Sequence, residues 1–95
     1  MKVFNWNGEK NEYLKKTRNI SFEEIIIAIL NDRIIEVYDH YNTVDYPHQK
    51  IYEVIYNDYV YLVPFVANDN EVFLKTIIPS RKATKKYKKE GEKND

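Results

Sequence analysis

The pattern of apolar positions changes along the chain from a helical period to a period of two. Between Phe22 and Leu30 the apolar residues recur at intervals of three and four, which predicts one buried helical face. Asn31-Asp32 ends this pattern. The residues after it form short runs rich in β-branched and aromatic side chains, separated by turn-forming residues, which predicts strands. The sequence therefore predicts helices in its first third and a sheet after them.

One strand and two helices are predicted before residue 31. The strand runs from Lys2 to Trp6 and the first helix from Glu9 to Arg18. The second helix begins at Ser21, because Ser21 and Glu24 form a Ser-x-x-Glu capping box, in which each side chain bonds the backbone N–H of the other residue. The apolar face of this helix is assigned to the core and to no chemistry; it consists of Phe22, Ile25, Ile26, Ile29 and Leu30.

Four strands are predicted after residue 32. They run from Arg33 to Asp39, from Lys50 to Tyr56, from Tyr59 to Val66 and from Glu71 to Ile78. A polar loop from His40 to Pro47 follows the first of them, and Asn57-Asp58 is a plausible two-residue hairpin turn between the second and the third. Pro64 has no N–H to donate to a sheet, so it is expected at a bulge, an edge or a strand end.

The chain is predicted to close with a basic helix. Pro79 ends the last strand, Ser80 can cap a helix that runs to about Lys89, and residues from about 90 to 95 are expected to fray. The predicted order is β-α-α-β-β-β-β-α in one domain spanning residues 1–95. Such an order is typical of an α+β domain with two layers, an antiparallel β-sheet packed against helices on one face.

Composition removes several classes of function. A chain of 95 residues suits one domain with one modest core, and its longest apolar runs are too short to span a membrane. Cysteine is absent, which excludes thiolate chemistry and suits a reducing cytoplasm. His40 and His48 form no recognisable metal-ligand set, and no glycine-rich phosphate loop stands out. We therefore expect a cytoplasmic protein without a metal or another cofactor.

Charge is distributed unevenly although the net charge is zero. Residues 1–79 hold 8 Lys and Arg against 12 Asp and Glu, whereas residues 80–95 hold 7 against 3. Between Arg81 and Lys89 there are six basic residues and no acidic one. A cationic region confined to one end indicates a binding surface for a polyanion. A solvated terminal tail would have the same composition, so charge alone leaves both interpretations open.

Three short motifs along the chain resemble those of one family. The first contains Phe4, Trp6, Asn7 and Lys10, the second runs from Ile20 to Glu24, and the third runs from Ile77 to Thr84 and is followed by Tyr87. In this order and at these distances they resemble the BrnT toxins of bacterial type II toxin–antitoxin systems. The resemblance covers most of the chain, from Phe4 to Tyr87.

The resemblance implies a RelE-like fold and a toxin that inhibits translation as a metal-independent endoribonuclease. It also implies a cognate antitoxin protein as partner, RNA as substrate, with mRNA at the ribosome as one candidate, and contact with operator DNA only through the antitoxin complex. The sequence departs from the family motifs at three places: Thr17-Arg18-Asn19 stands for Lys-His-Gly before the second helix, and two family arginines are missing, one where His48-Gln49-Lys50 stands for Gly-Glu-x-Arg and one where Thr76 precedes the third motif. The alternative is therefore a degenerate, non-catalytic module that binds an antitoxin or nucleic acid.

Arg81 is the first candidate for the chemistry of RNA cleavage. Cleavage by the ribose 2′-OH needs a base, an acid and cations at the developing phosphorane. Arg81 stands at a helix start, and its planar guanidinium can bond two phosphate oxygens, although a surface ion pair is the alternative. Four lysines are assigned to binding the RNA backbone: Lys82, Lys85 and Lys86 of the last helix and Lys10 of the first motif.

Four further residues are candidates for catalysis, each with a structural alternative. Lys75 and Lys50 lie on strands near the presumed open face of the sheet and can supply a second cation or remain solvated. His48, taken as the one histidine beside the sheet, can act as acid or base, or belong to a surface turn. Tyr87 can stack on a base, donate a proton or pack in the core.

Overall fold

The computed structural model describes residues 2–93 and confirms the α+β class. Its helices and strands, in chain order, are β1 (Val3–Trp6), α1 (Gly8–Arg18), α2 (Phe22–Leu30), β2 (Ile34–Asp39), β3 (Lys50–Tyr56), β4 (Tyr59–Ala67), β5 (Glu71–Leu74), β6 (Ile78–Pro79) and α3 (Arg81–Lys93). Each predicted element is present within one to four residues of its predicted ends, except the last strand. The described part of the chain thus forms three helices and a six-stranded sheet.

The sheet is mixed, which corrects the prediction of a wholly antiparallel one. Its strands lie in the order β1-β5-β4-β3-β2, and β6 pairs with β4. The strands β2 to β5 form an antiparallel meander, whereas β1 runs parallel to β5, with Phe4 beside Val72 and Trp6 beside Leu74. The prediction failed because β1 pairs with a strand more than sixty residues away. Local patterns do not carry the direction of such a pair.

The predicted strand from Glu71 to Ile78 is divided into β5 and β6. Pro64 explains where the division falls. It lies in the interior of β4, and its carbonyl accepts the N–H of Lys75 at 2.8 Å. The N and C=O groups of one strand residue point to the same side, so the Pro64 nitrogen faces the break between β5 and β6. No N–H group is required from β4 at that point, because no strand pairs there. Pro64 therefore lies neither at a bulge nor at an end of β4. It lies where the strand that pairs with β4 changes from β5 to β6.

The helices α1 and α2 pack on one face of the sheet, as predicted. The capping box is present, since Glu24 N–H donates to Ser21 Oγ and Ser21 N–H donates to Glu24 Oε1. The core that these helices share with the sheet consists of Leu14, Ile20, Phe22, Ile25, Ala28, Ile29, Val54, Val63, Phe65, Val72, Leu74 and Ile77.

The third helix, α3, borders the opposite face, which corrects the prediction of helices on one side only. Ala83 of α3 lines a cavity with Leu62, whose side chain points away from the core because it alternates with buried Val63. α3 also extends to Lys93, four residues beyond its predicted end at Lys89. The fraying expected from about residue 90 remains a prediction, and Asn94 and Asp95 lie outside the described residues.

Candidate nucleic-acid interface

The helix α3 has one packed side and one cationic side. Thr84 is buried, and Ala83 and Tyr87 are half-buried, so these three residues define the packed side. At 100° per residue, the opposite side forms an arc of about 140°. We call this arc the basic face. Among residues 81–91, whose side chains the structure describes, it consists of five exposed residues, Arg81, Lys82, Lys85, Lys86 and Lys89.

A short hydrogen-bond network fixes the start of α3 on the sheet. Ser80 is its N-cap: its Oγ accepts the N–H of Ala83 at 3.1 Å. Thr84 Oγ1 donates to the carbonyl of Ser80 at 2.7 Å and accepts the buried N–H of Val60, in β4, at 2.9 Å. The N–H of Ser80 in turn donates to the carbonyl of Val60 at 2.9 Å. The basic face therefore has a defined orientation relative to the sheet, as a preorganised binding surface requires.

The cations of the basic face have no acidic partner within 4.0 Å among the described side chains. Lys88, which lies at the border of this face, pairs with Asp58 at 3.4 Å. Both members of that pair are exposed, so the pair contributes little to stability. The five remaining charges lie close together on one helix and repel one another. An anion that binds there relieves this repulsion.

A cavity of about 240 Å³ lies beside the basic face, between α3 and the outer face of the sheet. Its lining residues are Tyr38, Glu53, Leu62, Ser80, Lys82, Ala83 and Lys86. Burial, followed by the negative charge of Glu53 and a hydrogen bond to its carboxylate, raises the pKa of Tyr38. Tyr38 and Glu53 cannot be recognised as neighbours from the sequence, because only the register of β2 against β3 brings them together.

Two of the predicted residues meet in a different place. Lys75, a candidate cation for catalysis, and Lys10, a candidate for RNA binding, line an open hollow of about 590 Å³ together with Phe73. Lys75 Nζ lies 5.4 Å from the centroid of the Phe73 ring. The carbonyls of Pro64 and Val60 accept the N–H groups of Lys75 and Ser80, respectively. Pro64 lies four positions after Val60 along β4, which places these carbonyls about 13 Å apart. This hollow is therefore distinct from the basic face.

Lys50 does not lie on the open face of the sheet, as had been expected. It pairs with Phe65 in the register of β3 and β4, so its side chain points to the same face as that core residue. Its Nζ lies 3.6 Å from a carboxylate oxygen of Asp39. The expectation failed because it counted alternation without knowing which residues of β3 face the helices.

The histidine beside the sheet is His40, and not His48 as had been predicted. His48 is exposed in the loop before β3. His40 directly follows β2, and its backbone N–H donates to the carbonyl of Gln49 at 3.0 Å. Its ring is buried against the rings of Tyr41 and Tyr46. Its Nδ1 accepts the N–H of Asn42 at 3.0 Å. His40 is therefore the histidine beside the sheet, and its contacts there are structural.

Tyr87 lies on the packed side of α3, about 120° around the helix from Arg81. It lines a hollow of about 600 Å³ with the Asn57-Asp58 hairpin turn. The five candidates for catalysis, Arg81, Lys75, Lys50, His48 and Tyr87, thus occupy separate positions, and the structure does not bring them together at one point.

Among the side chains that the structure describes, no cluster of three His, Asp or Glu could hold a metal ion. No helix in this part of the chain is both long enough and apolar enough to cross a membrane. No protein-family model matches the chain, and no curated protein or solved structure matches it either.

Proposed function

We propose that this protein binds single-stranded RNA through the basic face of α3. The observation that carries the proposal is the arrangement of five exposed, unpaired cations on one side of a described helix whose other side is fixed to the sheet. Lysines in such an array neutralise phosphates without reading sequence, and Arg81 can hold two oxygens of one phosphate.

The packing of α3 argues for a polyanion rather than a lipid surface. A helix that lies in a membrane interface inserts its apolar side among the lipids. In α3 the side opposite the cations is turned toward the protein: Thr84 is bonded to β4, and Ala83 and Tyr87 are half-buried. The cations of the basic face are exposed and free to meet a partner.

The motif resemblance supports a more specific proposal. Taken with the α+β architecture, it suggests a BrnT-type toxin of RelE-like fold that acts in the cytoplasm as part of a type II toxin–antitoxin pair. Its antitoxin would then place an acidic or helical surface over the basic face and neutralise it. Operator DNA would be contacted through that complex.

The geometry favours binding over cleavage. Metal-independent cleavage requires a base, an acid and a cation around one phosphate. Arg81 lies at the start of α3, whereas Lys75, Lys50, His48 and Tyr87 lie elsewhere. We therefore place RNA binding first and endoribonuclease activity second, with Arg81 as the residue on which such activity would depend.

Fluorescence anisotropy with a labelled single-stranded RNA tests the binding. The informative variant is Lys85→Ala/Lys89→Ala, and its matched control is Lys2→Ala/Lys16→Ala, which removes two exposed lysines from other elements. At low salt we expect the first variant to bind about tenfold more weakly or worse, and the control to change less than about twofold. Equal losses in both variants, or no binding by the parent protein, would contradict the proposal.

A growth assay tests the toxin role. Expression of the parent protein should arrest growth, and co-expression of an adjacent small gene whose product copurifies should restore it. If Arg81→Ala stays folded and inhibits growth as strongly as the parent, then the inhibition does not depend on cleavage by Arg81. If the parent leaves both growth and purified RNA intact, the role as a ribonuclease toxin is wrong.

A further inference from the structure

The cavity beside the basic face combines opposite charges with an aromatic ring. Glu53 of β3 and Lys82 and Lys86 of α3 line it together, and among the described side chains none of these lysines comes within 4.0 Å of an acidic oxygen. Tyr38 adds an aromatic ring, and Leu62 an apolar surface. An occupant that has hydrogen-bond donors at one end and negative charge at the other would complement this lining.

The size of the cavity limits the occupant. Pockets that bury a drug-sized ligand measure about 300–1,000 Å³. At about 240 Å³ the cavity is smaller, and it suits one planar base whose sugar and phosphate stay outside. Lys82 and Lys86 belong both to this lining and to the basic face, so a strand bound along α3 would pass its phosphates directly beside the opening.

The carboxylate of Glu53 distinguishes among the four bases. A carboxylate accepts hydrogen bonds with both oxygens and donates none. Guanine is the base whose Watson–Crick edge presents two adjacent donors, N1–H and the 2-amino group, and these match two carboxylate oxygens. Adenine and cytosine place an acceptor nitrogen beside their single amino group, and uracil places two carbonyls beside its one N–H. Each of these would set an acceptor against a carboxylate oxygen.

We propose that this cavity is a guanine subsite, in which Glu53 accepts from N1–H and the 2-amino group, Tyr38 contacts the base, and Lys82 and Lys86 hold the adjoining phosphates. This inference rests on the proposed RNA binding and makes it base-selective at one position. Contact between aromatic rings and bases contributes in addition, without selecting among the bases.

Titrations with 5′-GMP, 5′-AMP, 5′-CMP and 5′-UMP, followed by amide NMR shifts, test the subsite. GMP should bind about tenfold more tightly than the other three and should shift signals of Tyr38, Glu53 and Ala83. Glu53→Gln, which replaces one acceptor oxygen by a donor, should abolish this preference. The matched control is Glu36→Gln, because Glu36 pairs with Glu53 in the β2–β3 register but does not line the cavity.

Equal binding of all four nucleotides, or GMP shifts confined to other parts of the molecule, would overturn the subsite. The two proposals fail separately. RNA binding that is weakened by Lys85→Ala/Lys89→Ala but shows no preference for guanine would reject the subsite and keep the proposed function. GMP binding that depends on Glu53 in a protein that does not bind RNA would keep the subsite and reject the proposed function.

Discussion

Thr84 Oγ1 accepts the backbone N–H of Val60 at 2.9 Å, and this bond joins the basic helix to a central strand. The strand β6 is two residues long and pairs only with Tyr61 and Leu62 of β4. Val60, which precedes them at the start of β4, has no strand partner on that side. The N–H of Val60 is buried there, and Thr84 satisfies it. A side chain of α3 thus completes the ladder of the sheet, and the same contact directs the five cations of the basic face toward solvent.

Replacing Thr84 by Val should destabilise the protein while keeping its shape. The variant removes the acceptor of the Val60 N–H, and a buried donor without a partner costs about 1–3 kcal/mol. Urea denaturation followed by circular dichroism measures this loss. Thr17→Val is the control, because Thr17 is exposed and bonds only within α1; it should change the free energy of unfolding by less than about 0.5 kcal/mol. Equal effects would contradict the assigned role of Thr84.

Replacing Asn11 by Ala should weaken the junction between α1 and α2. The buried Oδ1 of Asn11 accepts the N–H of Phe22 at 2.8 Å, and its Nδ2 donates to Glu23 at 2.6 Å. Loss of the acceptor leaves a buried N–H unsatisfied, so we expect a cost of about 1–3 kcal/mol. The matched variant is Asn5→Ala, which removes an exposed bond to Glu71 and should cost about 0.5 kcal/mol or less. A smaller loss at Asn11 than at Asn5 would show that this junction does not depend on the buried amide.

Acid should remove a stabilising contribution of Glu24. The phenol of Tyr56 donates to its carboxylate, and this bond, more than the hydroxyl and backbone of Ser21, lowers the pKa of Glu24 in the folded protein. A lowered folded pKa gives stability that is complete above the ordinary glutamate pKa of about 4.5 and is lost as the pH falls through the folded value.

Denaturation curves at pH 7 and at about pH 3 measure this contribution. Glu24→Gln keeps the capping geometry, and Tyr56→Phe removes the hydroxyl that lowers the pKa. Both variants should be less stable than the parent at pH 7, and the difference should shrink in acid. Tyr13→Phe, at an exposed position, should follow the parent. A difference for Tyr56→Phe that is the same at both pH values would contradict the assignment.

The sequence predicts those parts of the fold that local chemistry determines. The capping box of Ser21 and Glu24 forms as predicted, and the hairpin turn at Asn57 and Asp58 has two positive φ angles, 51° and 62°, which asparagine and aspartate tolerate. The pairing of β1 with β5 and the break opposite Pro64 depend on contacts between distant residues. The period of the apolar residues and their helix or strand propensities do not determine which distant strands pair.

One part of the candidate site can be predicted from the sequence and the other part cannot. The basic face follows from the spacing of the cations once α3 is known to be a helix. The cavity does not follow, because the bulge between Ile34 and Glu36 decides which face of β2 carries Tyr38. Without the bulge Tyr38 would point to the same side as Ile34, into the core and away from Glu53. A shift of one residue in the register thus decides whether the guanine subsite exists.

The salt dependence of RNA affinity tests the central claim most directly. Each phosphate contact on single-stranded nucleic acid contributes about −0.7 to the slope of log K against log salt concentration, so five contacts predict a slope of about −3.5. In Lys85→Ala/Lys89→Ala the slope should become shallower by about 1.4, and in Lys2→Ala/Lys16→Ala it should match the parent. A slope near zero for the parent, or the same slope in all three proteins, would contradict RNA binding by the basic face of α3.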